Sequence, residues 1–136
     1  MPPMFLNGGG MRGGAVHHHI EGAPLLGELR TAPKYRFYSV RDEFPALHPA
    51  TDGAEPILGE LYDVPMGPLN ALLATEPAEL ELSIIELEGG ELSFAMVLRE
   101  AEHALGIHKD ITSYGGWHAY RAAALSEAPD KRRPPL

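Results

Sequence analysis

A run of glycines beside an asparagine and one well-placed glutamate are the residues whose types and spacing point most directly to chemistry. Met4-Phe5-Leu6 stops abruptly at Asn7-Gly8-Gly9-Gly10, and Gly13-Gly14 follow. Consecutive glycines leave backbone N–H groups uncovered by side chains, and such a concavity holds a carboxylate or an oxyanion. The run is not a Walker loop, since no Gly-Lys-Ser/Thr is present, and no long βαβ unit follows to make it a dinucleotide fingerprint. A flexible loop without a ligand is the plain alternative. Glu76 sits between Thr75 and Pro77, directly after the helix-forming run Pro68–Ala74. Proline pushes its predecessor out of the helical region, so Glu76 lies at the mouth of that helix and not on an alternating strand like Glu81 or Glu86. A carboxyl half-buried at such a junction has its pKa raised toward the working range of a general acid/base.

The histidines give a weaker signal. His17-His18-His19 precede Ile20-Glu21-Gly22. Adjacent residues cannot all point at one ion, and the i, i+4 spacing of helical zinc sites is missing. One packed and two solvated imidazoles is the plain reading, with a catalytic histidine or a metal ligand as alternatives. His48, His103, His108 and His118 are scattered along the chain. With no cysteine there is no thiol nucleophile, thiolate metal site or disulfide framework. The expectation is therefore no metal and no cofactor.

The elements that must position these residues follow from pattern. Pro24-Leu25-Leu26-Gly27-Glu28-Leu29-Arg30 is echoed by Pro56-Ile57-Leu58-Gly59-Glu60-Leu61-Tyr62, which predicts two equivalent strands of one curved sheet, with Gly27 and Gly59 at bends or bulges. Tyr35–Val40 is a third strand by its aromatic and β-branched content. Leu80–Leu87, Gly89-Gly90 and Glu91–Leu98 read as a hairpin. Residues 41–54, with Pro45, Pro49, Asp52 and Gly53, lose all periodicity and are expected to form a surface loop. Trp117–Leu125 is a closing helix whose Trp117 and Tyr120 face the core.

Composition bounds the whole. The 136 residues suit one domain over residues 1–125, followed by a flexible tail over 126–136 that contains Lys131-Arg132-Arg133. A net charge of −8 argues against nucleic acid as a partner, because neutralising phosphates supplies most non-specific affinity. No apolar run approaches the ~18 residues needed to span a bilayer, and no leader pattern opens the chain, so a cytoplasmic location without membrane contact is expected.

Taken in order, Phe5–Gly13, Arg30–Tyr38, Gly59–Pro65 and above all Asp110-Ile111-Thr112-Ser113-Tyr114-Gly115-Gly116-Trp117-His118-Ala119-Tyr120 make the chain resemble the γ-glutamylcyclotransferase-like superfamily. The resemblance is greatest to the branch formed by the allophanate hydrolase C-terminal domain and its small stand-alone relatives. It implies an α+β fold, a small mixed-strand β-barrel with a few flanking helices. It implies that the loop at Asn7, Gly8, Gly9 and Gly10 binds the acid end of a substrate, although the tyrosine and the hydroxyl of the cyclotransferase loop are absent here. It places Glu76 at the cyclotransferases' general acid/base position, where the allophanate hydrolase branch usually has no acid. By the same resemblance His18 best matches a histidine that branch uses in a second, decarboxylating step, with His17 or His19 in a shifted register. Arg12 is then expected to grip the substrate carboxylate through its fork of donors. The function implied is a small enzyme for a compact acid-bearing amide or carbamate. The alternative is a non-catalytic module that docks to a separate amidase.

Overall fold

The computed structural model describes residues 3–127. Among the described residues eight strands form one curled sheet, a half-barrel, carrying three α-helices. In chain order they are β1 (Met4–Leu6), β2 (Leu25–Arg30), β3 (Tyr35–Val40), β4 (Phe44–Pro49), β5 (Leu58–Tyr62), α1 (Met66–Ala74), β6 (Leu80–Glu86), β7 (Leu92–Leu98), α2 (Glu100–Ala104), β8 (Lys109–Asp110) and α3 (Trp117–Glu127).

The two echoing segments are β2 and β5, and they pair antiparallel with each other. The ladder slips between Leu25 and Gly27, so Gly27 marks a bulge. Gly59 is needed for a different reason: a Cβ there would collide with the Phe5 ring and the Leu6 carbonyl of neighbouring β1. β6 and β7 form the hairpin, with Gly89 and Gly90 both at positive φ in its turn. Thr31 bridges Leu87 beyond the ends of β2 and β6, drawing the curl toward closure. Phe5, Phe37, Leu47, Leu72, Ile85, Ile111 and Tyr120 fill the interior.

The expected loop over residues 41–54 contains a strand instead. β4 pairs antiparallel with β3 along its length despite Pro45 and Pro49. Phe37 spends its N–H on Thr112 Oγ1 and its carbonyl on the Ile111 N–H, so it does not bond its partner Leu47. Leu47 and the prolines that share its parity therefore turn their backbone polar groups toward β7. There only Leu47 pairs, with Val97, and the missing proline N–H groups break no ladder.

That arrangement also creates a wedge. β1 runs parallel to β7 at Phe94 and Ala95, on the flank where β4 meets Val97. Two strands cannot occupy one flank at the same level, so Phe44 and Pro45 are held away from β7 and a gap opens beyond Leu6.

α3 continues to Glu127, two residues beyond the helix end expected from sequence, and the rest of the expected tail, residues 128–136, lies outside the described residues. Among the described residues no helix is long and apolar enough to cross a membrane.

Candidate active site

The gap between β1 and β4 is a cavity lined by Phe5, Leu6, Asn7, Gly8, Gly9, Gly10, Phe44, Pro45, Leu80, Met96 and Glu76. It opens into a wider cleft of about 530 Å3 that shares Gly8, Gly9, Gly10, Phe44 and Glu76 and is rimmed by Asp42, Trp117, His118 and Arg121.

The glycine loop is shaped by what its carbonyls do. Gly8 O accepts from the Met11 N–H at 3.1 Å, Gly9 O from the Val16 N–H at 3.0 Å, and Gly10 O meets His17 Nδ1 at 2.8 Å. The N–H groups of Gly8, Gly9 and Gly10 find no acceptor among the described residues. Three donors without partners beside a cavity suit an anion or a developing oxyanion. Side chains are excluded at close quarters: a Cβ on Gly8 would stand 2.6 Å from Pro45 Cδ. Asn7, only 9% exposed, lines the same cavity.

Arg12 fastens the loop from outside. Its backbone N–H donates to Glu60 Oε1 and its Nε to Glu60 Oε2, both at 2.7 Å, while the Tyr62 hydroxyl donates to Glu60 Oε1 at 2.9 Å. Burial pushes the Glu60 carboxyl up, and the Arg12 and Tyr62 hydrogen bonds more than reverse it, leaving Glu60 below the usual carboxylate range. Arg12, expected to grip a substrate carboxylate, gives its Nε to Glu60 and does not line the cavity.

Glu76 enters from the opposite wall. α1 ends at Ala74, the Thr75 hydroxyl and the Glu76 N–H bond back to Leu72 O and Leu73 O, and Pro77 redirects the chain. Among the described residues the Glu76 carboxyl has no charged or hydrogen-bonding neighbour to favour its ionised form. Burial alone raises its pKa from 4.5 to about 7.

The histidine expectation also changes. His17–Ile20 forms a short 3-10 turn packed against α1. His17 is spent on Gly10 O, while His18 is exposed and lies against His19, ring centroids 4.1 Å apart. None of the three lines the cavity or the cleft; the imidazole that reaches the rim is His118 on α3. The sequence signal for it was its place beside Trp117 in the Gly-Gly-Trp-His run. The rim turn was not foreseen either. Arg41 and Asp42 adopt φ of 54° and 57°, unusual for residues with side chains. Asp42 Oδ1 accepts from Ser39 Oγ and from the Tyr120 hydroxyl, each at 2.6 Å, and those bonds hold the turn against α3.

The profile of the allophanate hydrolase C-terminal domain matches residues 2–122. The chain is 28% identical over 121 residues to the urea amidolyase of Saccharomyces cerevisiae, an alignment spanning 77% of this chain and 7% of that protein. Among solved structures it superimposes on c4763, a uropathogenic E. coli-specific protein, with a TM-score of 0.81 and 26% identity, over 89% of this chain and 95% of that one. It superimposes on the allophanate hydrolase of Kluyveromyces lactis with a TM-score of 0.79 and 26% identity, over 90% of this chain and 21% of that one. The chain thus spans less than a tenth of the length of the curated relatives it matches.

Proposed function

Because the chain belongs to the allophanate hydrolase C-terminal domain family, we propose that it is a small cytoplasmic enzyme acting on a compact acid-bearing amide or carbamate. The observation that carries this reading is the meeting of Glu76, with its pKa near 7, and the unpaired N–H groups of Gly8–Gly10 in one cavity. A carboxyl that titrates near neutrality takes a proton from an attacking amine or water and returns it to the departing nitrogen, ending each cycle as it began. The glycine N–H groups hold the oxygen on which negative charge develops, in a gap whose walls are Phe5, Leu6, Phe44 and Met96. His118 and Arg121 stand at the rim, where an acidic group of the substrate would pass.

The test is turnover of γ-glutamyl amides, N-carbamoyl acids and carboxylated ureas by the wild type and by Glu76→Gln. The expected loss on substitution is ~10²–10⁴-fold. Turnover unchanged in Glu76→Gln would remove the base and this mechanism with it. A second reading is favoured by the relatives that carry this domain as a small part of a long chain: a non-catalytic ligand-binding module docking to a separate amidase. Binding of the same compounds without turnover by any variant would select that reading.

A further inference from the structure

We propose that His48, Glu100 and His103 form a site for one divalent transition-metal ion of the zinc class, separate from the glycine-lined cavity. The three come from β4 and α2, and one ligand atom of each lies within 4.8 Å of the others. None of them lines the cavity or the cleft.

His48 Nδ1 lies 2.9 Å from the Pro49 carbonyl, which can only accept, so Nδ1 carries the ring's proton. In the neutral ring Nε2 then presents a bare lone pair, and it points at Glu100 Oε2 only 2.7 Å away. A lone pair facing a carboxylate at that distance needs a cation between them, a second proton or a metal. His103 supplies the third ligand. Its Nδ1 is 3.9 Å from Glu100 Oε1, and its Nε2 is 3.4 Å from the Tyr38 hydroxyl. His48 thus has its far nitrogen beside a carbonyl outside the cluster, the arrangement that orients metal-bound histidines.

Binding requires a defined adjustment. Ligands at ~2.0–2.1 Å around a tetrahedral ion stand ~3.3 Å apart, so the 2.7 Å separation opens and the 3.9 Å one closes. A turn of Glu100, whose side chain is 79% exposed, does both. The two rings stack at 3.7 Å and 6°, which keeps their lone pairs in parallel planes. Coordination therefore requires His103 to rotate out of the stack and give up its Tyr38 contact, and the depression of about 220 Å3 that it lines with Tyr38 and His108 leaves room for that turn. Three protein ligands leave a fourth position to water, and the site, built of imidazole and carboxylate alone, runs against the expectation of no metal. The ion would tie the five-residue α2 to β4.

The experiment is calorimetric titration of the untagged chain with Zn2+, repeated in two buffers of different ionisation enthalpy, together with the visible spectrum of the Co2+ form. The expected result is one equivalent bound with proton release and the intense absorption of four-coordinate cobalt. Glu100→Gln and His103→Ala should each weaken binding at least tenfold. The double variant His18→Ala/His19→Ala should bind as the wild type does, which separates this site from the His17–His19 run. Melting curves of the metal-free variants check their folding, and neither substituted side chain belongs to the core. No binding at millimolar zinc, or binding that survives both Glu100→Gln and His103→Ala, overturns the proposal and leaves a proton as the only cation there.

Discussion

Arg12 and Glu60 are joined by two 2.7 Å hydrogen bonds of different origin, one from the Arg12 backbone and one from its guanidinium. The pair is unequal in burial: the Arg12 side chain is 57% exposed and that of Glu60 7%. Breaking it from either end should therefore have unequal effects. Arg12→Ala leaves a buried carboxylate with only the residue 12 N–H and the Tyr62 hydroxyl, and a loss of stability is expected, smaller than that of a fully stripped buried pair. Glu60→Gln in the Arg12→Ala background should recover part of that loss by removing the buried charge. Chemical denaturation of both single variants and the double variant measures the coupling, and strictly additive effects would show that the pair holds nothing in place.

Glu76 should make the protein less stable as pH rises. Its folded pKa, about 7, lies above the ordinary 4.5, so between those values the native state holds a proton that the unfolded chain has released. The contribution is fully present below pH 4.5 and is lost as pH rises through 7. The Glu76→Gln variant cannot ionise. It should melt with the wild type near pH 4 and above it at pH 8, by up to ~2–3 kcal/mol after allowing for partial exposure. Parallel melting curves at all pH values would show that Glu76 titrates as an ordinary surface acid.

Local pattern made much of this fold legible. The Gly89-Gly90 hairpin, the β2–β5 echo, α1 and α3 all announce themselves within a dozen residues, because turn chemistry and side-chain period act over that range. β4 did not, because Pro45 and Pro49 signal a loop unless one knows that their backbone faces a flank where only Leu47 pairs. α2 and β8 are too short to show a period. At the candidate site, the glycine run and Glu76 stand out by their local surroundings, whereas the rim is assembled by topology. Tyr120 and Asp42 are 78 residues apart and His48 and Glu100 are 52 apart, so no spacing rule could bring either pair together. The Arg12–Glu60 contact is hidden for the same reason, since the two lie 48 residues apart.

The fit of Gly8 against Pro45 gives a test of the cavity's shape. A methyl group at position 8 would lie 2.6 Å and 2.8 Å from two ring carbons of Pro45, too close for either to stay in place. Gly8→Ala should cost ~1–3 kcal/mol, the usual range for overpacking, and should displace the loop's N–H groups. Pro45→Ala removes the ring carbons involved, so the double variant should recover stability relative to Gly8→Ala alone. Thermal melts of the three proteins decide it. A Gly8→Ala protein as stable as the wild type would mean that the loop moves freely and is not a preformed cradle.

Trp117, the first residue of α3, belongs to the core and to the site at once. It is 8% exposed within the main cluster, packs beside Tyr120 with ring centroids 5.7 Å apart, and lines the cleft that holds Glu76. Gly115, at φ 75°, turns the chain sharply before the helix, and Gly116 leaves its backbone close to Leu58, which seats the indole against β5. Trp117→Ala should cost ~3–5 kcal/mol, the range for a buried large aromatic, out of the ~5–15 kcal/mol that a domain of this size holds in total. Trp117→Phe keeps most of the apolar volume and should lose far less. If the role is packing, stability should fall from the wild type through Trp117→Phe to Trp117→Ala while ligand affinity stays close to that of the wild type, measured by denaturation and by titration with one substrate-sized acid at a temperature where all three are folded. An alanine variant that melts like the wild type yet binds no ligand would place the indole in direct contact with the substrate instead.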